Sequence, residues 1–340
     1  MAGALRVLVV NPGSSSLKLS VVGAGDAVAA SVETPGGGLE EFLAREEAAF
    51  DAAGVRVVHG GPRLRSPTRV DAGVLDELDR VSDLAPLHNP PAVAAMRALL
   101  GRAGARPVVA CFDTAFHSTL PDAAATYAVP WRWTAEYGVR RYGFHGLSHA
   151  WATRQAAEQL GRPAEALQMV TCHLGAGASL AAVRNGVSVD TTMGFTPMDG
   201  LVMATRSGSV DPGLLLYVQR RRGVSVEDAE RLLDRESGLL GVSGISGDMR
   251  EVLDAASRGE PRAVLAVDVY VHRLRQLIAA MAASLDRLDA LVVTGGVGEN
   301  AAGIRERARA GHLAGTAPVV VVHAREDLQI AHEVRTLLGG

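Results

Sequence analysis

The chain of 340 residues has 34 basic residues, and only one of them, Lys18, is a lysine. An ammonium reaches a phosphate oxygen as a flexible point charge, whereas a guanidinium is a planar fork that wants a bidentate partner. Lys18 is therefore a candidate phosphate ligand. Asparagine is nearly as scarce, occurring at Asn11, Asn89, Asn185 and Asn300 alone. Asn185-Gly186 reads as a hairpin turn, while the other three lie in loop-like segments and are candidates for chemistry. A second set stands at the ends of expected elements. Arg56 precedes His59-Gly60-Gly61, Asp113 ends an apolar run, His145 lies between glycines in Tyr142-Gly143-Phe144-His145-Gly146, and Arg206 follows the Gly/Pro-rich stretch 193–200. Singly, each has a bland reading as a solvated arginine or a structural histidine. Together, two arginines and a histidine can neutralise a carboxylate acceptor and a phosphoryl group in transfer, a reaction whose catalysis is mostly positioning and charge stabilisation. Such an acceptor is already ionised at neutral pH, so no strong general base is required. Any Mg²⁺ would keep waters and need few protein oxygens, for which Asn11, Asp113 and Glu326 are candidates.

The elements that position these residues are those of an α/β chain. Apolar runs at 5–10 and 17–22 flank the small-residue turn Asn11-Pro12-Gly13-Ser14-Ser15-Ser16. The same strand, turn, strand pattern recurs from Met169 around His173-Leu174-Gly175-Ala176-Gly177. Two such units half a chain apart predict two related α/β domains, residues 1–148 and 149–326, with a cleft at their boundary for a ligand and the closing helix 327–340 returning to the first. Gly-rich turns aim backbone N–H groups at an anion, although a plain hairpin explains either copy alone. Thr294-Gly295-Gly296-Val297-Gly298-Glu299-Asn300 adds a third Gly-rich junction between strand and helix. Further helices are expected at 39–53, 90–103, 147–160, 212–222, 226–235, 249–256 and 261–285.

Other chemistries are disfavoured. Gly146 stands where a metalloprotease helix has glutamate between its histidines, and 143–146 has no nucleophilic serine. A net charge of −3 offers no basic excess for nucleic acid. Cys111 and Cys172 supply neither a disulfide framework nor metal-finger spacing. No signal-like leader or membrane-length apolar run stands out, so a cytoplasmic protein without a membrane partner is expected.

The motifs at 9–18, 56–61, 84–91, 112–121, 141–149, 171–206 and 238–300 resemble those of the acetate and propionate kinases, within the sugar kinase, Hsp70 and actin superfamily. The resemblance implies two actin-like (ribonuclease H-like) domains and reversible transfer of the ATP γ-phosphoryl group to acetate, giving acetyl phosphate and ADP. By motif, Asn11 and Glu326 would hold Mg²⁺, with Mn²⁺ as its substitute, and Lys18 would bind nucleotide phosphate. Arg56 would grip the carboxylate, and Val58, Leu87, Phe144 and Pro197 would enclose the methyl group. Asp113 matches the active-site acid, and His145 and Arg206 would stabilise the transition state. The nucleotide would lie along His173, Leu174, Gly175, Ala176 and Gly177, along Asp248, Met249 and Arg250, and along Gly296, Val297, Gly298, Glu299 and Asn300. A homodimer is implied by the family alone. This chain departs from the pattern at Ala176, where the family has Asn, at Ser209, where it commonly has Asp, at Met249, and at Arg325 beside the metal position. The alternatives are a propionate or other short-chain carboxylate kinase, and a catalytically degenerate nucleotide-binding regulator on the same fold.

Overall fold

A computed structural model describes residues 5–13, 16–34, 38–46, 49–102, 106–309 and 316–339. Ser14 and Ser15 of the first small-residue turn lie outside the described residues. The chain divides into two compact units. The first comprises residues 1–118, 144–151 and 325–340, and the second comprises 119–143 and 152–324.

The first unit is built on a six-stranded sheet of β1 (Val7–Pro12), β2 (Leu17–Val22), β3 (Val28–Thr34), β4 (Ala52–Val57), β5 (Thr68–Arg69) and β6 (Val108–Phe112). Their order is β3-β2-β1-β4-β6-β5. β1 to β3 form an antiparallel meander, and β1, β4 and β6 run parallel. The Val-rich central strands are buried along their length, as strands covered on both faces must be. Helices α1 (Leu39–Glu46), α2 (Ala72–Arg80) and α3 (Asn89–Arg102) belong to this unit. Phe42, Leu78, Met96 and Leu99 join Leu8, Val10, Val55 and Phe112 in its core.

The helix expected over 39–53 stops at Glu46, and Ala52-Ala53-Gly54-Val55 is strand instead, paired in parallel with Val7 to Val10. Alanines have helical propensity, but burial between two sheet neighbours overrides it. β3 escapes sequence reading because it is an edge strand with few buried side chains and no apolar run.

The second unit begins with α4 (Asp122–Ala125) and α5 (Trp131–Tyr137), and α6 (Gly146–Gln159) starts in the first unit and ends in the second. Its sheet contains β7 (Gln168–Leu174), β8 (Ala178–Arg184), β9 (Val187–Thr191), β10 (Ala290–Thr294) and β11 (Val319–Val321) in the order β11-β10-β7-β8-β9. β7 to β9 are an antiparallel meander, while β10 runs parallel to both β7 and β11. This repeats the first sheet's arrangement, β7 answering to β1 and β10 to β4. Helices α7 (Pro212–Arg222), α8 (Val226–Arg235), α9 (Gly238–Ser243), α10 (Met249–Ser257), α11 (Pro261–Ala283), α12 (Gly295–Asn300) and α13 (Ala302–Arg309) complete this unit.

The closing helix α14 (Glu326–Leu338) belongs to the first unit and packs on β1 and β4. A side chain at Gly54 would sit 2.6 Å from Ile330 Cγ2 and 2.7 Å from Val334 Cγ2, so glycine lets α14 lie directly on β4. Arg335 fastens the helix further, donating to the carbonyls of Leu5, Val22 and Gly23. Among the described residues, no helix is long and apolar enough to cross a membrane.

Candidate active site

In the first unit, polar groups gather where β1, β4 and β6 end. Arg56, on β4, meets Asp113, which directly follows β6, in a two-point fork: Nε to Oδ1 at 3.0 Å and Nη2 to Oδ2 at 2.7 Å. Its third nitrogen, Nη1, donates to Asn11 Oδ1 at 3.1 Å. Asp113 is buried and the Arg56 side chain is 16% exposed. Burial alone would lower the guanidinium's pKa, but the carboxylates of Asp113 and Glu326 outweigh it and raise the pKa above its ordinary value. Asn11, Arg56, Asp113 and Glu326 thus form one electrostatic group. The side-chain oxygens of Asn11, Asp113 and Glu326 are hard donors of the kind Mg²⁺ takes when waters complete its shell. Among the described residues, no three His, Cys, Asp or Glu side chains cluster as a metal cage.

His145 is one of three described non-glycine residues with positive φ, at 57°. It precedes α6, and its carbonyl accepts from His149 N. The next residue, Gly146, donates its N–H to Asp113 O at 2.8 Å, and a side chain there would lie 2.2 Å from that oxygen. Glycine therefore allows the start of α6 to touch the Asp113 backbone. Phe144, two residues before, is buried with its ring edge-to-face against His59, centroids 5.4 Å apart. Its carbonyl is 3.0 Å from His117 Nε2. Burial pulls His59 and His117 down to about pKa 4, although the Phe144 carbonyl acts against burial at His117, so both rings are neutral at pH 7.

Asn89 clamps the adjoining turn. Its Oδ1 accepts from His59 N at 3.1 Å and its Nδ2 donates to His59 O at 2.9 Å, both groups being fully buried. Val58 is buried beside this turn, whereas Leu87, ahead of α3, is 49% exposed and Pro197 belongs to the second unit. Lys18 is the cross-strand neighbour of Asn11 on β2. Its ammonium is solvated and 3.7 Å from Glu33, a surface contact of little energetic weight.

The second unit contains a cavity of about 850 Å³, within the range of small-ligand sites. Gly175 and Ala176 line it from the turn after β7, Asp248, Met249 and Arg250 from the start of α10, and Gly296, Val297 and Asn300 from α12. These eight come from all three segments singled out in the sequence. Apolar walls are added by Leu239, Leu253 and Tyr270, whose buried hydroxyl has no hydrogen-bond partner among the described residues. Asp248 caps α10 by accepting from Arg250 N, and the Arg250 guanidinium and backbone N–H hold its carboxyl down at about pKa 2.

The other residues of these segments do not line the cavity. Leu174 and Gly298 are buried, and His173 and Gly177 flank the turn, with Gly177 O accepting from Gly175 N. Glu299 faces inward. Its Oε1 accepts from Gly295 N and Ala324 N, both at 3.0 Å, and its Oε2 meets His323 Nδ1. Burial raises the Glu299 pKa, but these bonds overcome it and leave the carboxyl below its usual range.

Arg206 lies in the second unit, its Nε donating to Asp234 Oδ1 at 2.8 Å. Ser209 is hydrogen-bonded to Asp199, which also faces Arg141. Sequence reasoning missed Asp234, which lies in no motif, and His117, which lies within the motif at 112–121 but was given no role, and gave Asn89 no task, although its rarity had marked it.

Two α/β sheets of matching strand order, each ending in a Gly-rich or polar turn, define the actin-like class of phosphotransferase folds. A solved ROK hexokinase from Thermus thermophilus shares this fold at a distance, superposing with a TM-score of 0.51 at 16% identity and covering 99% of this chain and 100% of the other. The chain belongs to the Acetokinase family, whose model matches residues 23–316. It is 45% identical to an acetate kinase from a Synechococcus strain, over 99% of this chain and all of the relative. It is 47% identical to an acetate kinase from Deinococcus deserti, over 84% and 78% of the two chains. The solved acetate kinase of Porphyromonas gingivalis superposes with a TM-score of 0.92 at 32% identity, covering 98% of this chain and 100% of the other. A propionate kinase from Francisella tularensis gives 0.88 at 34% identity, over 97% and 98%.

Proposed function

We propose that the protein is an acetate kinase, transferring the γ-phosphoryl group of ATP reversibly to acetate. An acetate oxygen bonds to Pγ, the bond from Pγ to the bridging oxygen breaks, and ADP departs with that bond's electron pair. The observation that carries this reading is the Arg56 fork. In this structure the guanidinium already holds a carboxylate, that of Asp113, by two parallel hydrogen bonds. A guanidinium fixed in that plane offers bidentate recognition to a small carboxylate.

In this reading Arg56 neutralises acetate, Asp113 holds Arg56 in its plane, and Val58, Leu87, Phe144 and Pro197 receive the methyl group. Lys18 takes nucleotide phosphate, while the second unit's cavity seats the nucleoside. His145 and Arg206 meet the charge on the transferring group. Asn11 and Glu326 would hold Mg²⁺, which when bound supplies positive charge to the phosphates. Retention of Arg56, Asp113, His145 and Arg206 argues for an enzyme over a nucleotide-binding regulator, which has no use for a carboxylate clamp. Propionate is the second substrate in this reading, because one further methylene changes binding in a small apolar pocket by only about 1–3 kcal/mol.

The test is acyl phosphate trapped with hydroxylamine from ATP, Mg²⁺ and each of formate, acetate, propionate and butyrate. Product should peak at acetate, with propionate next. No product alongside intact ATP binding would overturn the enzyme reading and point to the Ala176 and Arg325 departures.

A further inference from the structure

We infer that Asp234 is a positioning residue for the reaction: it holds the guanidinium of Arg206 by its Nε edge so that both terminal nitrogens stay available to the transferring phosphoryl group. The inference rests on the reading of Arg206 as the residue that stabilises the transition state.

Three observations support it. The first is the mode of pairing. Arg325 with Asp327, Arg250 with Asp248 and Arg56 with Asp113 each engage their carboxylate through both Nε and Nη2. Among the described residues, Arg206 uses Nε alone, at 2.8 Å. The four N–H groups on its terminal nitrogens are thus left for a second, bidentate acceptor.

The second is the anchoring of the backbone on both sides of Arg206. Met203 N donates to Arg206 O, closing a turn over 203–206. Thr205 Oγ1 donates to Asp234 O at 2.8 Å and Ser207 N to Leu233 O at 3.0 Å. Ser237 N and Leu239 N donate to the carbonyls of Thr205 and Met203, both at 2.9 Å. The end of α8 and the start of α9 therefore fix the main chain of this turn, and the Asp234 side chain fixes the one remaining freedom, the rotamer of Arg206.

The third is electrostatic. Asp234 lies in the last turn of α8, the end at which the aligned peptide dipoles of a helix present partial negative charge to a cation. Both side chains are only one-fifth to one-quarter exposed, so the pair is less screened than a surface one. Preorganised charge of this kind contributes to the transition state without reorganising as the reaction proceeds.

The experiment compares Asp234→Asn, Asp234→Ala, Asp234→Glu, Arg206→Ala and the double variant Asp234→Ala/Arg206→Ala in acetyl phosphate formation. Asp234→Asn keeps the size of the side chain, and the backbone bonds to α8 do not involve the carboxylate, so a folded protein is expected; circular dichroism and the thermal midpoint check it. Asp234→Ala should lower kcat about 10- to 100-fold with KM for acetate and ATP within about threefold. Asp234→Glu should recover part of the loss, and the double variant should be no slower than Arg206→Ala alone. A structural role would not produce that last result. Loss of kcat in Arg206→Ala with normal kcat in Asp234→Ala overturns the positioning role alone. So does an Asp234→Ala loss that persists undiminished in the Arg206→Ala background. Normal kcat in Arg206→Ala overturns the reading of Arg206 itself, and the inference with it.

Discussion

Protonation of His59 and His117 is coupled to folding, because burial holds both near pKa 4 in the native chain against about 6.5 in an open one. The unfolded chain binds more protons between those values, so the contribution is full above pH 6.5 and lost as pH falls towards 4. Going from pH 7 to 5.5 should cost about 1 kcal/mol per histidine, read as a lower urea midpoint. His117→Asn should flatten that dependence, and an unchanged slope would refute the assignment. At Arg56 the two obvious substitutions should differ. Arg56→Lys keeps charge near Asp113 but loses the fork, and should chiefly raise KM for acetate, by about tenfold or more. Arg56→Ala strands a buried carboxylate and should in addition cost about 3 kcal/mol of stability. A normal acetate KM in Arg56→Lys would remove the residue from the carboxylate site. At this scale the sequence marks residues whose type is rare or that stand at a strand end, and of these the structure brings Asn11, Arg56 and Asp113 together. The sequence was silent on Asp234 and His117, whose significance is a distance to a partner far along the chain.

Turns and helix starts carry the precision of the first unit's site. Asn89 satisfies both backbone groups of buried His59 from the N-terminal end of α3. Asn89→Ala would leave a buried donor and acceptor unpaired, at about 1–3 kcal/mol each, and should shift the thermal midpoint down by several degrees. Little or no shift would mean that the 58–61 turn relaxes. Gly146→Ala should be worse for activity than for expression, because its methyl group collides with the Asp113 carbonyl and pushes His145 away. Element reading succeeded for continuous apolar runs and capped helices, such as β1, β6 and α8, whose Ser225 accepts from Asp228 N. It failed at α1, where alanines paired as strand, at β3 and α5, which lack an apolar run or a buried side that periodicity can register, and at α2, although Val74, Leu75 and Leu78 mark its core side.

At the scale of the whole molecule, the strand-turn-strand pattern was legible twice and became two sheets of the same order. The composition of each compact unit was less so, because residues 119–143, expected in the first, fold with the second. Apolar surface remains on the second unit: Trp131 and Tyr137 on α5 are 71% and 65% exposed, and Leu214, Leu216 and Tyr217 on α7 are about half exposed. We propose that such surface is covered in a homodimer, which the family resemblance implies. Light scattering should give twice the monomer mass of 35.4 kDa, and Trp131→Glu or Leu216→Glu should shift it towards the monomer. A monomer in the parent protein would end that proposal.

The return of α14 to the first sheet also sets an order of events on the ribosome. β1 and β4 are made long before the helix that seals them at Gly54. At ~5–20 residues per second, the nascent chain must keep that apolar sheet face out of wrong partnerships for tens of seconds. Premature termination anywhere before residue 326 therefore releases a chain whose first unit lacks its seal, however complete its second unit is.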